Sequence, residues 1–123
     1  MHKFKELSVW QKSVDLAVDV YQITKAFPSE EKYGLRSQIN RCAVSIPSNI
    51  AEGSQRKTRK DFAYFLRNSR GSSAELETQL LTSERRKYGK EELLSQALNL
   101  VTEIQKMIFS FREKVANDKM IMS

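Results

Sequence analysis

Residues 91–115 read "EELLSQALNLVTEIQKMIFSFREKV", in which Leu94, Ala97, Val101, Ile104, Ile108, Phe111 and Val115 recur at alternating steps of three and four. That spacing places all seven on one narrow stripe of a helix and repeats every seven residues, the pattern of helices that cross at about 20° in a bundle. A stripe of this kind needs partners, and the preceding chain holds three more amphipathic segments.

The spacing predicts helices over about 8–27, 30–53, 58–87 and 91–116. In "SVWQ", Ser8 and Gln11 read as a capping box that opens the first helix. Trp10, Val14, Ala17, Tyr21 and Thr24 line one side of it, and Val9, Leu16, Val20, Ile23 and Phe27 form a second apolar row, wider together than one bundle seam requires. Ser29 reads as the cap of the second helix, whose seam is Leu35, Ile39, Cys42, Ile46 and Asn49, with Gly53 as its stop. Thr58 and Asp61 form another capping box, Phe62, Leu66, Ser69, Ser73, Leu76 and Leu80 are the third seam, and Gly89 ends that helix. Short connections make neighbours antiparallel. The expected fold is all-α, an antiparallel up-down-up-down four-helix bundle in a single domain over residues 1–123, with 117–123 as a tail whose Met120, Ile121 and Met122 are suited to packing on a partner.

Composition agrees. The chain has 123 residues, 40% apolar and 29% charged, with four glycines and two prolines, which leaves little material for turns. Its single cysteine, Cys42, sits among apolar residues and reads as a buried small hydrophobe, while the one histidine, His2, is too near the chain end to serve it as a catalytic base. No His, Cys or carboxylate cluster has metal-ligand spacing and no glycine loop could cradle a phosphate, so no metal, cofactor or catalytic residue is expected. Nothing approaches the ~18 uninterrupted apolar residues of a membrane span, and no signal-peptide core opens the chain. A cytoplasmic protein without a membrane partner is the expectation.

Within "AVSIPSNIAEGSQRKTRKDF" (43–62), Pro47 removes one backbone donor and crowds the carbonyl of Ala43, at ~3 kcal/mol in a helix interior. The seam keeps its phase from Leu35 to Asn49, which predicts a kinked helix running on through Pro47 rather than a break. Ser45, Ser48 or Asn49 is then placed to satisfy the freed carbonyl. Asn49 and Glu52, with Ser69 and Ser73 on the third seam, read as a structural polar seam that fixes helix register and lets helices two and three approach closely. The alternative is a polar pocket, but Glu52 lacks the second carboxylate, histidine or metal that acid–base chemistry recruits.

Charge is uneven. Between residues 56 and 70, Arg56, Lys57, Arg59, Lys60, Arg67 and Arg70 stand against Asp61 alone, and six minus one gives +5 of the chain's +6. Lys60, Arg67, Arg70 and the more distant Arg85 lie within about 80° of one another on a helical wheel, with Tyr64 beside the first two. Such a face can neutralise phosphates and offer a ring to an unpaired base. A helix N-terminus disfavours cations through its macrodipole, which argues for a reason beyond folding. Gly71, Ala74 and Thr78 lie between these charges on the outward row; together with the surplus apolar arc of the first helix they suggest a subunit interface.

"YGLRSQINRCAVSIPSNIAEGSQR" and "DFAYFLRNSRGSSAELETQL", above all "SIPSNIAEG" and "GSSAELETQL", closely resemble the bacterial four-helix bundle family encoded in intervening sequences of large-subunit ribosomal RNA genes. The likeness extends to "FKELSVWQKSVDLAVDVY" and the final heptads. It implies an antiparallel bundle that assembles as a ring-like homopentamer. The family is similar to the accessory protein of diversity-generating retroelements, a basic pentamer that binds nucleic acid and a reverse transcriptase, and it carries over no catalytic residue. Two functions follow as expectations: a non-enzymatic homo-oligomer binding RNA or a single strand through Arg56, Lys57, Arg59, Lys60, Tyr64, Arg67 and Arg70, or a scaffold that docks a protein partner.

Overall fold

The computed structural model, which describes residues 3–117, contains four long helices: α1 (Ser8–Thr24), α2 (Leu35–Ser54), α3 (Arg59–Arg85) and α4 (Glu91–Asn117). Single 3-10 turns, Phe4–Glu6 and Ser29–Glu31, precede α1 and α2. Helices α1 and α3 each pack on both α2 and α4, and neither diagonal pair comes into backbone contact. Partners on adjacent helices run in opposite directions. On α2 and α3, Cys42 reaches Ser72, Ile46 reaches Ser69, and Gly53 faces Phe65. On α3 and α4, Phe62 meets Phe111, Arg70 meets Phe109, and Glu77 meets Gln105. The fold is therefore the expected antiparallel four-helix bundle; of the expected tail, Asn117 is instead the last residue of α4, and 118–123, with Met120, Ile121 and Met122, lie outside the described residues.

Burial follows the seams closely on α3 and α4. Every predicted seam residue of α3 is buried, and on α4 only Phe111 is half-exposed. On α2 the buried row is Ile39, Cys42, Ala43, Ile46, Pro47, Ile50 and Gly53, with Leu35 and Asn49 at its flanks. For α1, whose two rows the spacing does not rank, the second row and Thr24 of the first are the buried ones. Val9, Leu16, Val20 and Ile23, with Phe27 just beyond the helix, enter the core, whereas Trp10, Val14 and Ala17 are half-buried and Tyr21 is exposed.

Helix ends differ from expectation for local reasons. α1 opens at Ser8, but its hydroxyl makes no cap bond and Gln11 Nε2 donates to the Lys5 carbonyl at 2.8 Å instead. It closes at Thr24 rather than Phe27. The second helix begins at Leu35, not Ser29, because residues 29–31 close a separate turn; Glu31 Oε1 then accepts the Leu35 N–H at 3.1 Å and does the capping assigned to Ser29. The Thr58 cap forms, its Oγ1 accepting the Asp61 N–H at 3.0 Å. α3 ends at Arg85 in a Schellman arrangement: Lys87 N–H bonds to the Glu84 carbonyl and Tyr88 N–H to the Ser83 carbonyl. Lys87 takes the left-handed backbone, φ 61°, at the position that glycine usually fills; Gly89, assigned that role from sequence, lies two residues later with φ 77°.

α2 continues through Pro47. Ala43, Ile46 and Ile50 around it are fully buried, so tertiary packing offsets the local penalty. Ser45 donates to the Cys42 carbonyl at 2.6 Å and Asn49 to the Ser45 carbonyl at 2.8 Å, so neither takes the Ala43 carbonyl as anticipated. Gly53 has a reason other than ending a helix. A Cβ there would stand 2.7 Å from the Phe65 Cβ and 3.0 Å from the Phe62 ring, so α2 and α3 meet where a side chain is absent. Cys42 lies in the same interface, its Sγ donating to the Ser72 carbonyl at 3.1 Å. Burial first, and the Glu75 charge second, push its thiol up to about 11, against a backbone hydrogen bond at Leu76 that pulls it down. A thiol held neutral is a poor nucleophile at physiological pH.

Two stability outcomes follow. Gly53→Ala meets a Cβ that cannot rotate away, so overpacking of about 1–3 kcal/mol should exceed the ~1 kcal/mol that alanine gains in a helix. Urea denaturation should show a net loss; a gain would mean that the two helices are not in tight register there. Lys87→Gly should raise stability by about 1 kcal/mol in the same assay, since it relieves a left-handed residue without altering a buried contact.

Candidate nucleic-acid interface

The basic segment begins where α2 stops. Gln55 N–H and Arg56 N–H bond to the Glu52 and Gly53 carbonyls, turning the chain out of α2, and Thr58 restarts it as α3. Arg56 and Lys57 therefore lie in a tight turn. Arg59, Lys60 and Asp61 occupy the first turn of α3, where the carboxylate suits the dipole and the two cations do not.

Lys60, Tyr64 and Arg67 follow at steps of four and three along the outward ridge of α3, all three exposed. Tyr64 retains 55% of its surface. Arg56, Lys57 and Arg70 are also exposed, and Arg59 is half-buried. Arg56 is held twice, by Glu52 at 2.8 Å and by the Phe65 ring, whose centroid lies 4.7 Å from the guanidinium carbon. Lys57, Arg59, Lys60, Arg67 and Arg70 have no carboxylate partner among the described residues. Arg85 is also exposed but stands fifteen residues beyond Arg70, roughly 22 Å along the helix axis, so it does not join the cluster.

Two aromatic residues escaped the sequence reading. Phe65, half-buried on the α2 side, carries Arg56 on its face and packs edge-on against Tyr64 with centroids 5.4 Å apart. Phe109, on α4, lies 4.7 Å beneath the Arg70 guanidinium. A signal for Phe109 was available: it is an aromatic residue outside the heptad positions of the most regular helix in the chain.

The polar seam residues do not converge. Ser69 is buried and donates across the helix pair to the Ile46 carbonyl at 2.8 Å, whereas Ser73, also buried, bonds to the Arg70 carbonyl of its own helix. Asn49 is occupied by Ser45, and Glu52 is exposed, outside the seam and paired with Arg56. Among the described residues no three His, Cys, Asp or Glu side chains stand together as metal ligands, and no helix is long and apolar enough to cross a membrane. Gly71 on the outward ridge has open space around it: nothing lies within 4 Å of where a Cβ would stand.

Known proteins share this architecture and its sequence. No curated protein sequence matches the chain. A crystal structure of a protein of unknown function from the S23 ribosomal protein family of Bacteroides thetaiotaomicron VPI-5482 superposes with a TM-score of 0.78 at 31% identity, covering 85% of this chain and 95% of that one. The model of the 23S rRNA-intervening sequence protein family matches residues 5–110, a span that takes in all of α1, α2 and α3, the basic turn and most of α4. A match of that extent, with the bundle and its α2–α3 contact in place, shows that the chain belongs to the 23S rRNA-intervening sequence protein family.

Proposed function

We propose that this chain is a non-enzymatic, homo-oligomeric protein that binds RNA or single-stranded nucleic acid through the basic face of α3. The observation that carries the reading is the set of five cations, Lys57, Arg59, Lys60, Arg67 and Arg70, that have no acidic partner among the described residues, with Lys60 and Arg67 on either side of an exposed tyrosine. Lys57, Arg59 and Lys60, unpaired at the unfavourable end of the α3 dipole, gain nothing for the fold there, and Arg67 and Arg70 extend the same charge along the helix; polyphosphate supplies their counter-charge. Asn49 and Glu52, the one polar pair weighed as a catalytic candidate, are engaged separately, Asn49 with the Ser45 carbonyl and Glu52 with Arg56.

Association of copies is supported by large apolar side chains left exposed on α1 and α2, Val18, Tyr21 and Val44, and by the open ground at Gly71. The ring of five is the assembly implied by the family resemblance. The buried reduced cysteine suits a cytoplasmic setting. A protein-docking scaffold is the second reading, favoured by the same exposed apolar residues.

Titration into labelled single-stranded RNA at several salt concentrations tests the binding. Affinity should fall steeply with salt. Lys60→Glu with Arg67→Glu should cut it by at least about tenfold and reduce the log–log slope by about 1.4, because each phosphate that no longer meets a cation removes ~0.7 from the slope. Wild-type protein that binds no nucleic acid even at low salt would overturn this reading in favour of the scaffold. Light scattering should give a mass of several chains; a monomer at micromolar concentration would remove the oligomer from the proposal.

A further inference from the structure

Two Arg–aromatic pairs lie on opposite flanks of the basic ridge. Arg56 with Phe65 is on the side of α3 that faces α2, and Arg70 with Phe109 is on the side that faces α4. They are not equivalent. Arg56 is pinned by Glu52, and Phe65 is half-buried against Tyr64 and the Gly53 contact. Arg70 has no carboxylate partner among the described residues, and Phe109 keeps 45% of its surface although it sits off the core stripe of α4. Arg112, three residues further along α4, has its Nη1 3.3 Å from Glu113 while its buried Nε has no hydrogen-bond partner. An exposed phenylalanine with a guanidinium stacked on its face, free of any carboxylate among the described residues, is a poor solution for stability and a good one for a flat ligand that carries negative charge.

We propose that the Arg70–Phe109 pair is a stacking site for an unpaired nucleobase, extending the binding face from α3 across to α4. This inference rests on the nucleic-acid reading above and narrows it to bases that are not already paired. Phe109 holds the guanidinium plane of Arg70 in place, and a base stacks on that pair while Lys60 and Arg67 take the adjoining phosphates. Tyr64 offers a second ring on the outward ridge, roughly 9 Å along the axis from Arg70 and about 120° around it, so a strand that used both would wrap across α3. Duplex bases present only their edges and cannot use either platform.

The test separates stacking from charge. Phe109→Leu keeps an apolar side chain but removes the ring that holds Arg70, and Arg70→Lys keeps the cation but removes the guanidinium plane on which the base stacks, so both preserve the phosphate contacts and break the stacked pair. Each should lower affinity for single-stranded RNA or DNA about tenfold, with the salt slope and the duplex affinity unchanged. An oligonucleotide of abasic residues should bind wild type and both variants alike. In Phe109→Trp, single strands should quench fluorescence beyond the change seen from Trp10 alone. RNA and DNA strands run side by side report which sugar is preferred.

Variants that bind single strands as wild type does would overturn the stacking site while leaving the basic face standing. Equal losses for single strands and duplex with a shallower slope would reassign Arg70 to phosphate binding. A change in oligomeric mass on Phe109→Leu would place Phe109 in a subunit contact instead. Wild type that binds no nucleic acid removes both proposals together.

Discussion

The bundle turns on the missing side chain at Gly53. With nothing but backbone there, the last turn of α2 settles against Phe62 and Phe65, and the chain reverses within a few residues into α3. The same close approach brings Ser69 within reach of the Ile46 carbonyl and Cys42 within reach of the Ser72 carbonyl, so the helix pair is held in a single register along its length. Small residues set the distance and hydrogen bonds set the phase. α1 and α4 then pack against a pair whose geometry is already determined.

That close approach also places the charge. Because α3 starts immediately beyond it, Arg56 is turned back onto the Phe65 ring and Glu52, while Lys57, Arg59 and Lys60 are left at the positive end of the α3 dipole. Asp61 and the Thr58 cap offset part of this repulsion. The opposite choice, acidic residues throughout that turn, would have been better for the helix. A fold that tolerates the poorer arrangement over a continuous surface directs attention to what lies outside the chain.

Much of this was legible in the residues. Heptad spacing on α4 and the seam on α3 depend only on periodicity, which a single helix encodes by itself, and both emerged as read. The orientation of α1 stayed open in the sequence, because two apolar rows fit its spacing and only the neighbouring helices decide which one faces the core. Helix ends depended on competitors that are remote from the motif: Gln11 went to the Lys5 carbonyl rather than to its own cap, and Glu31 reached Leu35 from a separate turn. Lys87 adopted the left-handed backbone although a glycine stood two residues away. Around the candidate site the cations were read from sequence, but the rings that organise them, Phe65 and Phe109, were not: the place of Phe109 outside the heptad marked it as outward-facing, yet which cation it meets across two helices has no local signal.

The absence of diagonal packing bears on how the chain reaches this state. Each helix touches the one before or after it, and only α1 with α4 joins distant parts of the sequence. Three helical hairpins can therefore form from local encounters with little loop-closure entropy, and topologies of this kind belong to the fast-folding class, on the order of microseconds to milliseconds. As the polypeptide emerges from synthesis, α2 and α3 can lock together before α4 exists. Docking of α4 on α1 then seals the barrel of side chains, so the exposed edge that invites misassembly is short-lived.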